Sequence, residues 1–401
     1  MKTLYKKSKI KVDLIYSGWL SAPNGVSTFL NTFKEGIPFL NEHDVNLSII
    51  SSDIFYKRDF EQSSKTLKGF LKIFLKKLIP FSKTLTVYYL KMVEKNYLKI
   101  VNHYLKKENK ADVLFFQELL TCYHYLKISK NKKIKIVLVL HTNGDTFNMV
   151  RTYYPKLKAT NYYKYLLEVE KEVINKVDKL GFVSKNSMNH FIALNPDFNK
   201  EKLFYVLNGV GNSPKIRENN SLASFHVKYS FCCIGSITKR KGQELIVRAF
   251  NKLSLNEKVQ FNITFLGEGE EKEKLVNYVK KHKLENYIYF KGSVNNVDSY
   301  LSISNGFILT SYDEGLPISI IEALRYGLPI IATNVGGIPE MLDDKYNGFL
   351  IEPREEELLN LFKNLGDYDL EEFGRNSLKM YQNKFTQDAM FTNYTNVFLN
   401  L

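Results

Sequence analysis

The sequence predicts an α/β protein built from two doubly wound, parallel-sheet domains of the Rossmann-like kind. Short apolar segments alternate with helix-like stretches in two series, one before residue 210 and one after it. Apolar strands that alternate with helices indicate parallel sheets covered on both faces. A chain of 401 residues also exceeds what one hydrophobic core usually supports. We therefore expect two domains that face each other across a cleft.

Six strands are expected in each domain, because each series contains six runs rich in Val, Ile, Leu and Phe. In the first domain the strands are predicted at 12–16, 45–50, 113–116, 134–140, 180–183 and 203–207. In the second domain they are predicted at 231–234, 261–266, 287–290, 307–310, 329–332 and 349–351. A polar, turn-rich stretch at 211–221 is the expected linker. The domains are therefore placed at 1–210 and 211–384.

The cysteine content and the hydropathy of the chain limit the cellular compartments in which we expect the protein. Three cysteines cannot form a disulfide framework, and no Cys/His spacing fits a zinc site. The N-terminal residues carry positive charge without an apolar segment, which argues against a signal peptide. No apolar run is long enough to span a membrane. We expect a cytoplasmic protein without a metal site, either free or peripheral on the inner face of the cell membrane.

The net charge of +15 is concentrated in an insertion-like segment at 57–110, which holds 14 Lys/Arg against 4 Asp/Glu. Between Lys65 and Ile79, lysines group on one side of a helical wheel and Leu and Phe group on the other. Such a basic amphipathic helix suits an anionic membrane surface. The alternative is an ordinary surface helix whose apolar side joins the core.

Two glutamates eight positions apart, Glu314 and Glu322, mark the expected functional site. The first follows a strand-like run in a turn, and the second lies on a helix whose first position suits Pro317. The free N–H groups of Gly315, Leu316 and Ile318 would converge there and favour an anion such as a diphosphate. The flanking carboxylates can accept hydrogen bonds from hydroxyls. The alternative is a pair of solvated carboxylates.

The stretch from Phe231 to Pro353 resembles the C-terminal half of the GT-B glycosyltransferases, specifically the retaining enzymes of glycosyltransferase family 4. The blocks that carry the resemblance are Ile234 to Gly242, Phe265 to Gly269, Ile288 to Gly292, Ser311 to Leu324, Tyr326 to Glu340 and Asn347 to Leu350. The first half is similar more loosely, at Ala22 to Phe29, His141 and Asn208 to Val210. The resemblance implies the GT-B fold, with a helix at 385–401 that crosses back to the acceptor-side first domain.

The resemblance implies roles for four residues in the reaction. Arg240 and Lys241 would stabilise the charge on the departing diphosphate, because preplaced cations act most strongly in the transition state. Glu314 would bind the donor sugar, and His141 would contact the donor sugar or the acceptor. Simpler alternatives are a solvated basic turn and a structural histidine.

The resemblance also implies a set of donor-binding positions. Most would act through the backbone, Glu322 would bind the ribose hydroxyls, and Tyr289 to Val294 would line the base pocket. Ser236 stands where many family members have an arginine and supplies no charge. The set is Gly25, Ser236, Gly267, Val294, Gly315, Leu316, Pro317 and Glu322.

The predicted function is metal-independent, retaining transfer of a sugar from a nucleotide-diphosphate sugar, with UDP as the expected nucleotide and no cofactor. The acceptor would be a glycan or a lipid-linked molecule in surface polysaccharide or glycoconjugate synthesis. Alternatives are a nucleotide-sugar epimerase of the same fold, or hydrolysis or phosphorolysis. A nucleic-acid-binding protein is disfavoured, because the positive charge clusters away from the diphosphate motif.

Overall fold

The computed structural model describes residues 8–22, 24–55, 79–107, 111–131, 133–212 and 227–401 of the 401-residue chain. The first domain contains the strands β1 (Ile10–Ile15), β2 (Val45–Ile50), β3 (Val113–Phe116), β4 (Lys135–Leu140), β5 (Lys179–Phe182) and β6 (Leu203–Tyr205). The second contains β7 (Tyr229–Ile234), β8 (Phe261–Leu266), β9 (Ile288–Gly292), β10 (Gly306–Leu309), β11 (Ile330–Thr333) and β12 (Gly348–Ile351).

These strands form two six-stranded parallel sheets, with the orders β2-β1-β3-β4-β5-β6 and β12-β11-β10-β7-β8-β9. Every predicted strand is present, and its ends lie within two residues of the prediction. Each sheet starts at an inner strand, β1 or β7, and later strands are added on both sides of it, which is the doubly wound arrangement. The predicted two-domain α/β fold is therefore confirmed.

Helices connect the strands. The first domain contains α1 (Gly25–Glu35), α2 (Ile37–Glu42), α3 (Lys83–Leu105), α4 (Leu119–Ile128), α5 (Asn148–Tyr153), α6 (Asn161–Lys176) and α7 (Lys185–Leu194). The second-domain helices and the last helix are α8 (Gln243–Asn251), α9 (Leu255–Lys258), α10 (Lys272–Lys281), α11 (Val297–Ile303), α12 (Ile318–Arg325), α13 (Glu355–Asn364), α14 (Leu370–Lys384) and α15 (Gln387–Leu399). No helix in the described ranges is long and apolar enough to cross a membrane.

Part of the basic insertion folds onto the first domain as α3. Ile100, Val101 and Tyr104 of this helix are buried. The Glu94 carboxylate accepts hydrogen bonds of 2.7 Å from the hydroxyls of both Tyr162 and Tyr165. The amphipathic segment predicted between residues 65 and 79 lies outside the described residues except at its last position. Most of the predicted linker also lies outside them.

The chain passes between the domains at two places that lie side by side. The Val210 N–H donates to the Phe385 carbonyl (3.1 Å), and the Gln387 N–H donates to the Val210 carbonyl (3.0 Å). Beyond this point α15 packs on the first domain, where Phe391 lies 5.4 Å from Phe33 between ring centroids. Further along α15, aromatic rings pack on Phe115 in the same way. The last helix thus returns to the first domain.

Direct hydrogen bonds join the two domains along the cleft. Asn148 Nδ2 donates to Asp313 Oδ2 at 3.0 Å, and Asn208 Nδ2 donates to the Leu316 carbonyl at 3.1 Å. Each bond links a loop or helix of the first domain to the loop between β10 and α12. That loop, which contains Glu314, is therefore held against the first domain.

Candidate functional site

Two loops of the second domain meet at the carboxyl edge of its sheet, where ligands bind in open α/β sheets. One loop joins β7 to α8, and the other joins β10 to α12. The Tyr312 N–H donates to the Arg240 carbonyl (2.8 Å), and Thr310 Oγ1 donates to the Gly242 carbonyl (2.8 Å). Gly242 has φ +64°, and a Cβ there would lie 2.1 Å from the Thr310 carbonyl oxygen. The close contact of the loops therefore requires glycine at this position.

A buried carboxylate lies between two cations where these loops meet. Lys241 Nζ is 2.5 Å from Glu314 Oε1, and Arg240 Nη1 is 3.4 Å from Glu314 Oε2. Ser311 Oγ donates to Glu314 Oε1 at 2.6 Å. Burial alone would raise the pKa of Glu314, but the cations and these hydrogen bonds outweigh it and lower the pKa below its ordinary value. Glu314 is therefore ionised, and both its oxygens already have partners.

Three backbone N–H groups follow Glu314 in the turn that begins α12. Among the described residues, the N–H groups of Gly315, Leu316 and Ile318 donate to no acceptor. Pro317 is the N-cap of α12, with extended backbone at φ −70° and ψ 115°, one position earlier than the sequence suggests. It carries no N–H and shapes the turn only. Unpaired N–H groups at a helix start favour an anion.

Glycines allow the first domain to approach this turn closely. A Cβ on Gly315 would lie 3.0 Å from the His141 carbonyl oxygen and 3.1 Å from that of Thr142. On the other side, Gly336 has φ +55°, and a Cβ there would lie 1.7 Å from the Glu314 carbonyl oxygen. Larger residues at these two glycines would displace either the first domain or the loop that carries Glu314.

Glu322 lies four residues into α12 and is half-buried. Among the described residues, no donor is hydrogen-bonded to its carboxylate. Burial raises its pKa to about 7; Arg325 acts to lower it, and Asp298 to raise it. A carboxylate that has lost water without gaining donors is suited to accept hydrogen bonds from ligand hydroxyls.

His141 follows the last residue of β4, at the cleft edge of the first sheet. Its Nε2 lies 2.8 Å from Gln117 Oε1, and its ring packs edge-on against Phe29 at 4.8 Å between centroids. Because the amide oxygen can only accept, Nε2 carries the proton and Nδ1 remains an acceptor. Burial lowers the pKa of His141 to about 4. The ring is therefore neutral near pH 7.

The other positions assigned to donor binding differ in their exposure. Gly25 opens α1 at an exposed position, and a Cβ there would meet no atom within 4 Å. Ser236 is exposed, and Val294 is half-buried just beyond β9. A Cβ on Gly267 would lie 2.1 Å from the Gly235 carbonyl oxygen. Packing between two turns therefore already requires Gly267, whatever it binds.

Sequence reasoning missed three contacts of this site. Gln117 orients His141, and its buried Nε2 has no partner among the described residues. The Asn148–Asp313 bond joins residues 165 positions apart, and nothing local in the sequence signals it. Gly336 could have been found, because it lies within one of the blocks that carry the family resemblance.

A family model matches part of the second half of the chain. Residues 215–365 match the family model described as glycosyl transferases group 1. The O-antigen biosynthesis glycosyltransferase WclY of Escherichia coli is 28% identical over 229 residues, which are 56% of this chain and 62% of that protein. The chain therefore matches less than two thirds of the length of this relative.

Solved structures are similar over nearly the whole chain. Sucrose-phosphate synthase from Thermosynechococcus elongatus has a TM-score of 0.71 at 16% identity, covering 98% of this chain and 99% of that one. Anabaena HepE in complex with UDP has a TM-score of 0.66 at 16% identity, covering 98% and 100%. At these identities the likeness shows the fold, which is GT-B.

Proposed function

We propose that this protein is a retaining glycosyltransferase that moves a sugar from a nucleotide-diphosphate sugar to a glycan or lipid-linked acceptor. The anion site carries this proposal: Arg240 and Lys241 pair with Glu314, and the N–H groups that follow Glu314 have no acceptor among the described residues. Glu314 offsets only one of the two positive charges, so the remaining charge and these N–H donors suit the negatively charged oxygens of a diphosphate. Glu322, on α12 after this loop, would receive the ribose.

The donor can be placed on these groups from diphosphate to sugar. The diphosphate oxygens accept from Arg240, Lys241 and the N–H of Gly315. The ribose hydroxyls donate to Glu322, which has no other donor among the described residues. The sugar then extends towards Glu314 and the strand end that carries His141. The solved complex of HepE with UDP supports UDP as the nucleotide.

The chemical step breaks the bond between the anomeric carbon and the diphosphate oxygen. Negative charge builds up on the diphosphate, and the buried cations Arg240 and Lys241 stabilise it most in the transition state. In the free protein Glu314 contacts both cations and offsets one of their two charges, so they are positioned before the donor arrives. The acceptor oxygen attacks from the leaving-group face, and the departing phosphate takes its proton. The anomeric configuration is then retained.

The reaction is proposed to need no divalent metal, because two cations already face the expected diphosphate position. In the described ranges, no group of three His, Cys, Asp or Glu side chains is arranged to hold a metal ion. Turnover should therefore persist when a chelator is added, and a strict requirement for added magnesium would contradict this part of the proposal.

We further propose surface polysaccharide synthesis at the inner face of the cell membrane as the setting. The relative WclY is named for O-antigen biosynthesis, which supports a growing polysaccharide as acceptor. Net charge of +15 suits an anionic membrane surface. The basic segment between Lys65 and Ile79 is proposed as one membrane contact from its sequence alone.

Thermal-shift screening against a panel of nucleotide sugars tests the donor proposal, with Lys241→Met as the site variant and Lys239→Met as its exposed neighbour and control. A ligand at about 100 times its Kd stabilises by about 2.7 kcal/mol. We expect UDP-sugars to stabilise the wild type and the Lys239→Met control, and to stabilise the Lys241→Met variant much less. Equal stabilisation of all three proteins would refute the assignment of Lys241 to the donor site.

NMR analysis of the product made with an acceptor then tests the reaction class. Retained anomeric configuration is the expected result, and inversion would contradict same-face transfer. Conversion of the donor to an epimeric nucleotide sugar without acceptor would indicate an epimerase instead.

A further inference from the structure

An exposed apolar surface runs along one side of the basic insertion. We call it the α3 stripe, and its members are Phe81 (71% exposed), Leu85 (36%), Tyr88 (70%) and Met92 (47%). Successive members are three or four positions apart, and the three on the helix fall within an arc of about 60°. A helix of a soluble domain normally turns such a side towards the core.

The opposite side of α3 is fixed to the first domain, so the exposure of the stripe follows from the packing. Ile100, Val101 and Tyr104 are fully or almost fully buried, and Thr86 Oγ1 donates to the Ile79 carbonyl at 2.6 Å. Glu94 is held by two tyrosine hydroxyls of α6. Rotation of α3 to bury the stripe would break these contacts.

The charges around the stripe are positive. Lys83, Lys91 and Lys95 are exposed, and Lys91 and Lys95 lie next to the arc of the stripe, on the side of Tyr88. The one carboxylate of α3 is Glu94, which is turned towards α6. The α3 stripe is therefore apolar, flanked by cations, and without an exposed acid on its own helix.

We infer that the α3 stripe docks on an anionic lipid surface. Phe81, Leu85 and Met92 would enter the apolar edge of the interface while the lysines reach the phosphate headgroups. Tyr88 suits this boundary, because its ring is apolar and its hydroxyl is polar. A second copy of this chain is disfavoured as occupant, because it would bring the same lysines together.

The position of the α3 stripe relative to the cleft indicates a role for membrane docking. Tyr89, beside Tyr88, lies 6.1 Å from Tyr154 between ring centroids, just after α5. The first residue of α5 bonds to Asp313 at the cleft. A lipid-linked acceptor could therefore reach the cleft from the membrane that holds the stripe. This use depends on the proposed transferase function, whereas the docking itself does not.

Vesicle flotation of the full chain tests the inference, with vesicles of phosphatidylcholine containing phosphatidylglycerol and vesicles of phosphatidylcholine alone. The stripe variant carries Leu85→Ser, Tyr88→Ser and Met92→Ser. The matched control carries Leu255→Ser, Val259→Ser and Ile303→Ser, which replace exposed apolar residues of the second domain. We expect the stripe variant to bind anionic vesicles at least about tenfold less tightly, and the control to bind like the wild type.

A charge variant, Lys91→Glu with Lys95→Glu, should lose binding to the anionic vesicles in the same assay. Wild-type affinity in the stripe variant, or equal losses in the stripe variant and the control, would overturn the inference. A wild-type dimer that the stripe variant dissociates, seen by light scattering, would identify a second copy as the occupant and would also overturn it. Stabilisation by UDP, measured on the same variants, reports folding and the donor site separately; if the triple variant fails to fold, Tyr88→Ser alone is used.

Discussion

Replacement of Glu322 by glutamine should make the stability of the protein less dependent on pH. Burial raises the pKa of Glu322 from its ordinary value of 4.5 to about 7. Since a tenfold change in an equilibrium corresponds to about 1.4 kcal/mol, this shift corresponds to about 3 kcal/mol. That free energy is the cost of holding the carboxylate ionised in its half-buried position without a donor.

The sign follows from proton linkage. The folded-state pKa is raised, so Glu322 favours folding fully below its unfolded pKa and loses this contribution as pH rises through about 7. Denaturant unfolding from pH ~4 to ~8 should show the wild type losing up to about 3 kcal/mol relative to Glu322→Gln. Glu356→Gln, at an exposed position of α13, controls for removal of a carboxylate. A constant difference between wild type and Glu322→Gln across this range would refute the reasoning.

The same variant should bind the nucleotide more weakly. Hydrogen bonds to a charged group contribute about 1.5–3 kcal/mol, so loss of the Glu322 charge should reduce UDP affinity by about tenfold or more. Isothermal titration calorimetry at pH ~8 measures this directly. Unchanged affinity would remove Glu322 from the ribose position. The variant is thus expected to be more stable at high pH and poorer at binding.

Four further outcomes follow from the site and the fold. Lys241→Met should lower turnover by about 10²–10³ in steady-state kinetics. The same variant leaves the buried Glu314 carboxylate without its closest cation, so the free energy of unfolding in denaturant should fall by about 3 kcal/mol. Gly315→Ala should raise the donor KM with a smaller change in kcat, because its Cβ would press on the His141 carbonyl oxygen; an unchanged KM would contradict this close approach. His141→Asn should lower turnover by one constant factor from pH ~5 to ~8, because the ring is neutral there; a factor that varies with pH would count against a neutral ring. Phe391→Ala should cost about 3–5 kcal/mol in equilibrium unfolding, and a loss under 1 kcal/mol would mean that α15 is not anchored by its aromatic packing.

The strands could be predicted because their signal is local. Val113 to Phe116 are four consecutive apolar residues and form the fully buried strand β3. The partner of α3 could not be predicted in this way, since Glu94 bonds to tyrosines about 70 positions later. Long-range polar contacts leave no periodic trace in one sequence.

In the candidate site, too, local features could be predicted from the sequence and long-range contacts could not. The Glu314 turn and the Glu322 helix were predicted from the strand, glycine and proline pattern around them. The direct pairing of Glu314 with Lys241 was not predicted. The sequence indicates that both residues lie near the expected diphosphate position, but it does not give the distance between them. The missing donor at Glu322 is likewise a three-dimensional property. It depends on what surrounds α12 and not on the residues of α12 themselves.

A crystal structure of the protein with UDP tests the central claim most directly. The account predicts diphosphate oxygens within hydrogen-bond distance of Lys241 Nζ and the Gly315 N–H, with the ribose hydroxyls on the Glu322 carboxylate. A complex in which UDP lies elsewhere, while Lys241 contacts only Glu314 and Glu322 contacts no hydroxyl, would contradict it.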